Sequence, residues 1–356
     1  MSAAKSEDVP SGLSKPIKIA MAALRLAAKS HASPLDKKDL LIARGWLEDG
    51  LRKFPGHPAL KRAQALLAVT RIPDWHFPML RDDRRNRAYE AAIAQAVRPG
   101  LRVFEIGAGS GLLAMMAARA GADHVVTCEG DPQIAETARA IIAANGLSDR
   151  ITVKSAMSTD LSSQDIGGKA DVLISEVFGA SIMEEGALIS IQHAREQLVK
   201  DTAAIIPAKG RLMAAVGTYD SRSAESLRNV CGFDLSPFMR FRSERRMIGS
   251  SSTKLTLEGD PVPIFTLDFT TGEVPRACER ELTLASARDR PNVVATWISL
   301  DLAPGVTYSN APEPGYQSHW GVTLYAIPEA QRPRQGAALR IGAAHDVAHV
   351  HIWFPD

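Results

Sequence analysis

Between residues 102 and 175 the chain alternates short apolar runs with longer stretches of helical period. Arg102–Ile106, His124–Glu129, Ile151–Lys154 and Asp171–Ser175 read as strands, with Gly111–Ala120 and Pro132–Asn145 as the helices between them. Such alternation implies right-handed crossovers and a doubly wound parallel sheet. After Pro207 the period becomes two. The runs Arg211–Val216, Pro263–Phe269, Arg280–Ala287, Val293–Leu302, Gly321–Ala326 and His349–Phe354, with turn residues between them, predict an antiparallel barrel or sandwich. Residues 220–250, rich in Ser, Arg and Gly, break that rhythm and read as an insertion.

Three helical stretches come first: Pro16–Ala28, Asp36–Phe54 and Pro58–Val69. In the second, Leu40, Ala43, Leu47, Leu51 and Phe54 recur at three- and four-residue steps and form one apolar stripe. Pro34 and Asp36 suit its start, and Pro55-Gly56 its end. The second and third stretches resemble one tetratricopeptide-like hairpin. A single repeat cannot bury its own face, so the piece is expected to pack on the next domain, its neighbours or a partner. A helical cap is the favoured reading over a peptide-binding array. Residues 1–15 are small, polar and charged, a composition expected to be disordered. The expected division is a tail and helical segment over 1–71, a cofactor domain over 72–207 and a β-domain over 208–356.

Composition narrows the function classes. With 356 residues, 45% apolar and 23% charged, the chain has ordinary globular content, and a net charge of +2 supports no nucleic-acid footprint. The arginines within 81–87 and 240–246 read mostly as solvated faces. Cys128, Cys231 and Cys278 lack metal-ligand spacing and read as reduced thiols of a cytoplasmic protein. No apolar run approaches the roughly 20 residues of a membrane helix, and no secretion signal is apparent at the N-terminus. His345, His349 and His351 form a histidine cluster near the end of the chain, with only Asp346 as a neighbouring acid, and no metal site is expected there.

The first expected strand runs into Glu105-Ile106-Gly107-Ala108-Gly109-Ser110-Gly111. Glycines between a strand and a helix allow a tight turn and close backbone approach, and the helix start offers unpaired amides. Position 112 is Leu, so the last glycine of the dinucleotide fingerprint is missing, and a cofactor with an amino-acid tail fits better than a pyrophosphate. Glu129, at the end of the second strand, can accept two ribose hydroxyls. S-adenosylmethionine and nicotinamide dinucleotide both offer that pair. After the fourth strand, Glu176 and Glu185 stand nine residues apart and suit a planar cation.

Four segments together resemble the protein arginine methyltransferases, most nearly the branch with members seven and nine. They are Trp75-His76-Phe77-Pro78-Met79-Leu80-Arg81-Asp82-Asp83-Arg84-Arg85-Asn86, the glycine turn with Leu112-Leu113, the double-glutamate loop ending Glu185-Gly186-Ala187-Leu188, and Ser318-His319-Trp320. Val230-Cys231-Gly232-Phe233-Asp234-Leu235 is similar to the end of that family's dimerisation arm. The resemblance spans about residues 72–356 and implies an S-adenosylmethionine-dependent enzyme acting on protein or peptide arginine, with a homodimer formed through residues 219–236. It implies that Glu176 and Glu185 hold the guanidinium, and that Asp82 and His319 form a buried pair. Arg85, Glu105, Gly107, Gly109, Gly111, Glu129, Met157 and Ser158 would then face the cofactor, and His76, Met79 and Trp320 the substrate. Two departures stand out. Ser318 replaces the family's Thr, and no Tyr-Phe-x-x-Tyr helix precedes Trp75. A methyltransferase for a small guanidine or amine, and a non-catalytic scaffold, are the competing readings.

Overall fold

A computed structural model describes residues 13–30, 37–71, 76–220, 225–241, 243, 245–271 and 276–355. Most of the expected tail, Trp75 and part of the expected arm therefore lie outside the described residues. The chain divides into two compact units, ending and beginning at Met79 and Leu80.

The first unit holds helices α1 (Lys15–Ser30), α2 (Lys37–Lys53) and α3 (Pro58–Arg71), followed by the short α4 (His76–Leu80) at its edge. Ala20 and Ala23 of α1, Ala43 and Leu47 of α2, and Leu60, Ala63 and Leu67 of α3 close on one another as a core. Of the three expected coverings for the hairpin's apolar stripe, the one found is a neighbouring helix. α1 supplies that face, and its alanines let the backbones approach closely. Leu47 is 1% exposed there. Leu47→Ala should therefore cost about 2–5 kcal/mol of this unit's stability, read as a lowered melting transition by circular dichroism.

The second unit opens with α5 (Asp83–Ala96) and a five-stranded sheet. The strands are β1 (Arg102–Ile106), β2 (His124–Cys128), β3 (Ile151–Lys154), β4 (Ala170–Ser175) and β5 (Val199–Ile206), with α6 (Leu112–Arg119), α7 (Pro132–Ala144) and α8 (Ala187–His193) in the connections. Every pairing is parallel, in the order β3-β2-β1-β4-β5. The chain turns outward in opposite directions from β1 and β4, so the crevice of this doubly wound sheet opens at their C-terminal ends. Ile106 pairs with both Cys128 and Ser175 at that edge.

The antiparallel domain contains β6 (Lys209–Tyr219), β7 (Arg245–Ile248), β8 (Leu255–Leu257), β9 (Val262–Asp268), β10 (Cys278–Ala285), β11 (Val293–Ala303), β12 (Val306–Ser309), β13 (Val322–Ala326), β14 (Ala338–His345) and β15 (Val350–Trp353). Its larger sheet runs β7-β13-β11-β6-β8, with β12 paired to β11 and β9 to β6; the smaller one runs β10-β14-β15. The expected insertion over 220–250 is corrected at its end, because Arg245–Ile248 pairs with β13 across Val322–Tyr325. The histidine cluster is also divided. His345 is buried on β14 opposite Cys278, with Nε2 3.2 Å from Sγ, whereas His349 and His351 are exposed.

Candidate active site

Glu176 follows β4 at the crevice. Its side chain is 7% exposed, with Oε2 2.6 Å from Arg85 Nη2 and Oε1 3.4 Å from His319 Nε2. Burial works to raise the Glu176 carboxyl, but the Arg85 guanidinium and the His319 hydrogen bond hold it below the ordinary range. Arg85 also donates from Nη1 to Asn86 Oδ1 at 2.8 Å. Its position comes from Asp82, the N-cap of α5, whose Oδ1 accepts the Arg85 amide at 3.0 Å. One cap therefore starts the helix and aims its first turn at β4.

Asp82 is buried and receives several donors. Oδ2 accepts from Tyr308 Oη at 2.7 Å and from the His319 amide at 3.2 Å, and lies 3.0 Å from His319 Nδ1. Oδ1 accepts from Tyr316 Oη at 2.7 Å. Burial alone would raise this carboxyl, yet hydrogen bonds from His319, Tyr308 and Tyr316 hold it well below the carboxylate range. His319 goes the other way. Burial would lower it, but Asp82 and Glu176 on its two faces raise it. Trp320, its ring tilted 37° to that of His319 with centroids 4.2 Å apart, donates from Nε1 to the Phe178 carbonyl at 2.9 Å and so ties the loop before β13 to the loop after β4.

The glycine turn lies on the other side of the crevice. Gly107, Gly109 and Gly111 all have positive φ, at 80°, 50° and 80°. A Cβ on Gly107 would sit 2.7 Å from Val177, while one on Gly109 would meet nothing within 4 Å. The turn is therefore closed toward β4 and open above Gly109. Glu129 braces it: Oε2 accepts from the Gly109 amide at 3.1 Å and Oε1 from the Asp131 amide at 3.0 Å. Ser158 is buried, and the exposed Met157 lies against Gly130.

Asp82, Arg85, Glu176 and His319 thus form one hydrogen-bonded group. Glu185 does not share its burial: it is exposed, at φ 63° immediately before Gly186 at φ 71°. A left-handed glutamate costs on the order of 1 kcal/mol, a strain found where the backbone must present a side chain. The neighbouring Glu184 is half-buried with Oε1 3.6 Å from Arg245. His76 and Met79 belong to the first unit. Sequence reasoning missed Tyr308 and Tyr316. The only local signal for Tyr308 is the alternation of Val306–Ser309, and for Tyr316 there is none.

Glu105, one residue before the end of β1, is almost wholly buried, and burial pushes its carboxyl up to about 8. A carboxyl raised in the fold favours folding while protonated, so this contribution is lost as pH rises from about 4.5 toward 8. Glu105→Gln should match wild type near pH 4.5 and exceed its stability at pH 8 by up to about 5 kcal/mol, measured by urea unfolding across that range.

Comparisons with known proteins bear on the family and the fold. A family model described as ribosomal protein L11 methyltransferase (PrmA) matches residues 90–207. An arginine N(omega)-methyltransferase of Streptomyces achromogenes subsp. streptozoticus is 36% identical over 296 residues, 82% of this chain and 81% of that protein. Protein arginine N-methyltransferase 7 of Aedes aegypti is 29% identical over 75% of this chain, which spans only 46% of that relative. Among solved structures, the enzyme–prozyme complex of Trypanosoma brucei PRMT1 with AdoHcy has a TM-score of 0.67 at 22% identity, covering 81% of this chain and 95% of its own. PRMT6 with SAH has a TM-score of 0.62 at 22% identity, covering 79% and 99%. At that identity the two structures speak for the fold alone.

Proposed function

Because this chain belongs to the protein arginine N-methyltransferase family, we propose that it transfers a methyl group from S-adenosylmethionine to a guanidinium nitrogen of arginine. One observation carries the reading. The buried Glu176 carboxylate already pairs with a guanidinium, that of Arg85, at 2.6 Å. A pocket able to hold one delocalised planar cation through a fixed carboxylate suits another.

The residues at the crevice fit the cofactor. Arg85 Nε, Glu105 Oε2 and Ser158 Oγ are buried polar atoms with no hydrogen-bond partner among the described residues, and the backbone at Gly109 borders open space. Arg85 would hold the amino-acid carboxylate, Gly107, Gly109 and Gly111 would give the backbone close approach, and Glu105 would lie beside the turn. Glu129 would take the ribose hydroxyls, and Met157 with Ser158 the adenine. S-adenosylmethionine, when bound, supplies an electrophilic sulfonium methyl.

The chain must make a guanidinium nucleophilic. Its charge persists to a pKa above about 12, and resonance leaves no nitrogen with a free lone pair. Glu176, joined by Glu185 from the strained turn, would draw positive charge toward one terminal nitrogen and restore lone-pair density to the other. Placement and fixed charge then account for most of the acceleration. Asp82, saturated with donors, orients His319 instead of taking the released proton. A homodimer through residues 219–236 belongs to the same reading, supported by the exposed Phe233 and Leu235 with Phe238 just beyond.

The acceptor is proposed to be arginine within a protein or peptide. Free arginine or another small guanidine is the second reading, favoured by the Streptomyces relative, which this chain matches over most of both lengths. Incubating the protein and cofactor with an arginine-rich peptide and with free arginine, followed by mass spectrometry, separates the two. Methylation of neither, with cofactor binding intact by calorimetry, would favour a scaffold and sink the proposal.

A further inference from the structure

Two phenols converge on Asp82, one of the two carboxylates that flank His319. Tyr308 Oη donates to Asp82 Oδ2 and Tyr316 Oη to Asp82 Oδ1, both at 2.7 Å. Each hydroxyl has a single proton: that of Tyr308 goes to Asp82, while that of Tyr316, whose Oη also lies 3.0 Å from Tyr308 Oη, is shared between Asp82 and that second oxygen. Ser318 Oγ, 2.7 Å from Tyr308 Oη, must donate to it, and Ser318 Oγ in turn accepts from the Trp320 amide at 3.1 Å. Donors therefore run from Trp320 through Ser318 and Tyr308 into Asp82. The second phenol is clamped from outside: the Arg84 guanidinium lies 3.7 Å from the Tyr316 ring centroid and pairs with Glu313 at 2.6 Å.

We propose that Tyr308 and Tyr316 are positioning residues of this site, whose hydroxyls fix Asp82 and, through it, the ring orientation and tautomer of His319. With both Asp82 oxygens occupied, His319 Nδ1 is held as the donor at 3.0 Å. Nε2 is then the nitrogen that meets Glu176 Oε1 at 3.4 Å. A neutral ring in this tautomer would set a lone pair against a carboxylate, so the geometry selects the imidazolium. Arg85 on the far side of Glu176 opposes it, and Trp320 lies against the ring with centroids 4.2 Å apart. The inference rests on the methyl-transfer reading for its consequence, but the geometry at His319 can be read without it.

The test uses full-length protein with Tyr308→Phe, Tyr316→Phe and each of these combined with Asp82→Asn. The His319 imidazole is titrated by nitrogen NMR, and methyl transfer is followed across pH. Fewer donors on Asp82 leave more of its charge on His319, so Tyr308→Phe, where water has no access, should raise the His319 midpoint by roughly half a unit or more. The pH profile of kcat should move the same way, and the shift should vanish in the Asp82→Asn background. Unchanged midpoints in both phenylalanine variants, with intact melting transitions, overturn the inference, as does a shift that persists without the Asp82 carboxylate. NMR shifts in a protein that methylates no arginine would overturn the functional reading and leave the positioning role standing.

Discussion

Glu176→Gln is expected to reduce methyl transfer by at least about 100-fold, the scale seen when one charge-stabilising group is removed from a preorganised site. The amide keeps the shape and one acceptor, so the loss would report the missing negative charge on the guanidinium. The same change leaves the Arg85 guanidinium buried with its anion gone. Removing one partner of a buried ion pair costs about 3–5 kcal/mol, and the amide's remaining hydrogen bond places this variant near the lower figure. Steady-state assays together with urea unfolding measure both effects. Glu185→Gln separates them, because that side chain is exposed and its replacement should slow turnover while leaving the unfolding midpoint in place. Wild-type turnover in both variants would falsify the two-carboxylate grip.

Asp82→Asn carries a comparably large expected effect on stability. Asp82 accepts from the Arg85 and His319 amides and from two phenols, and pairs with the His319 ring. An amide offers one acceptor oxygen and turns an NH2 group toward the remaining donors. The cost should be about 3–5 kcal/mol at pH 7. A carboxyl depressed in the fold contributes stability above its unfolded value near 4 and loses it as pH falls toward the folded one. The gap between wild type and variant should therefore be full at pH 7 and narrow in solutions more acidic than about pH 4. Urea unfolding at pH 7 and pH 3 measures it, and a gap independent of pH would remove the charge from the explanation.

The parallel sheet was legible because β1, β2 and β4 are buried on both faces along most of their length, while the short β3 alternates. β1 and β3 fall at the residues the pattern predicts, and β2 and β4 within one residue. β5 escaped because Lys200-Asp201-Thr202 interrupts its apolar character where the strand edges into solvent. β14, Ala-Leu-Arg-Ile-Gly-Ala-Ala-His, carries too many small residues to read as a strand, and its register alone brings Cys278 to His345. Parts of the site were legible for the same local reasons: a glycine turn after a strand, and an acid after the next strand. Tyr308 and Tyr316 were not. They meet Asp82 across more than 220 positions of chain, and nothing near them in sequence marks a partner so distant.

That separation has a consequence for synthesis. Asp82 and Glu176 leave the ribosome long before Tyr308, Tyr316 and His319, and the indole that seals the loop after β4 comes at position 320. A nascent chain with a complete parallel sheet still has an unsupported carboxylate and no imidazole beside it. The hydrogen-bonded group around Asp82 therefore cannot close until residues 308–320 have been made.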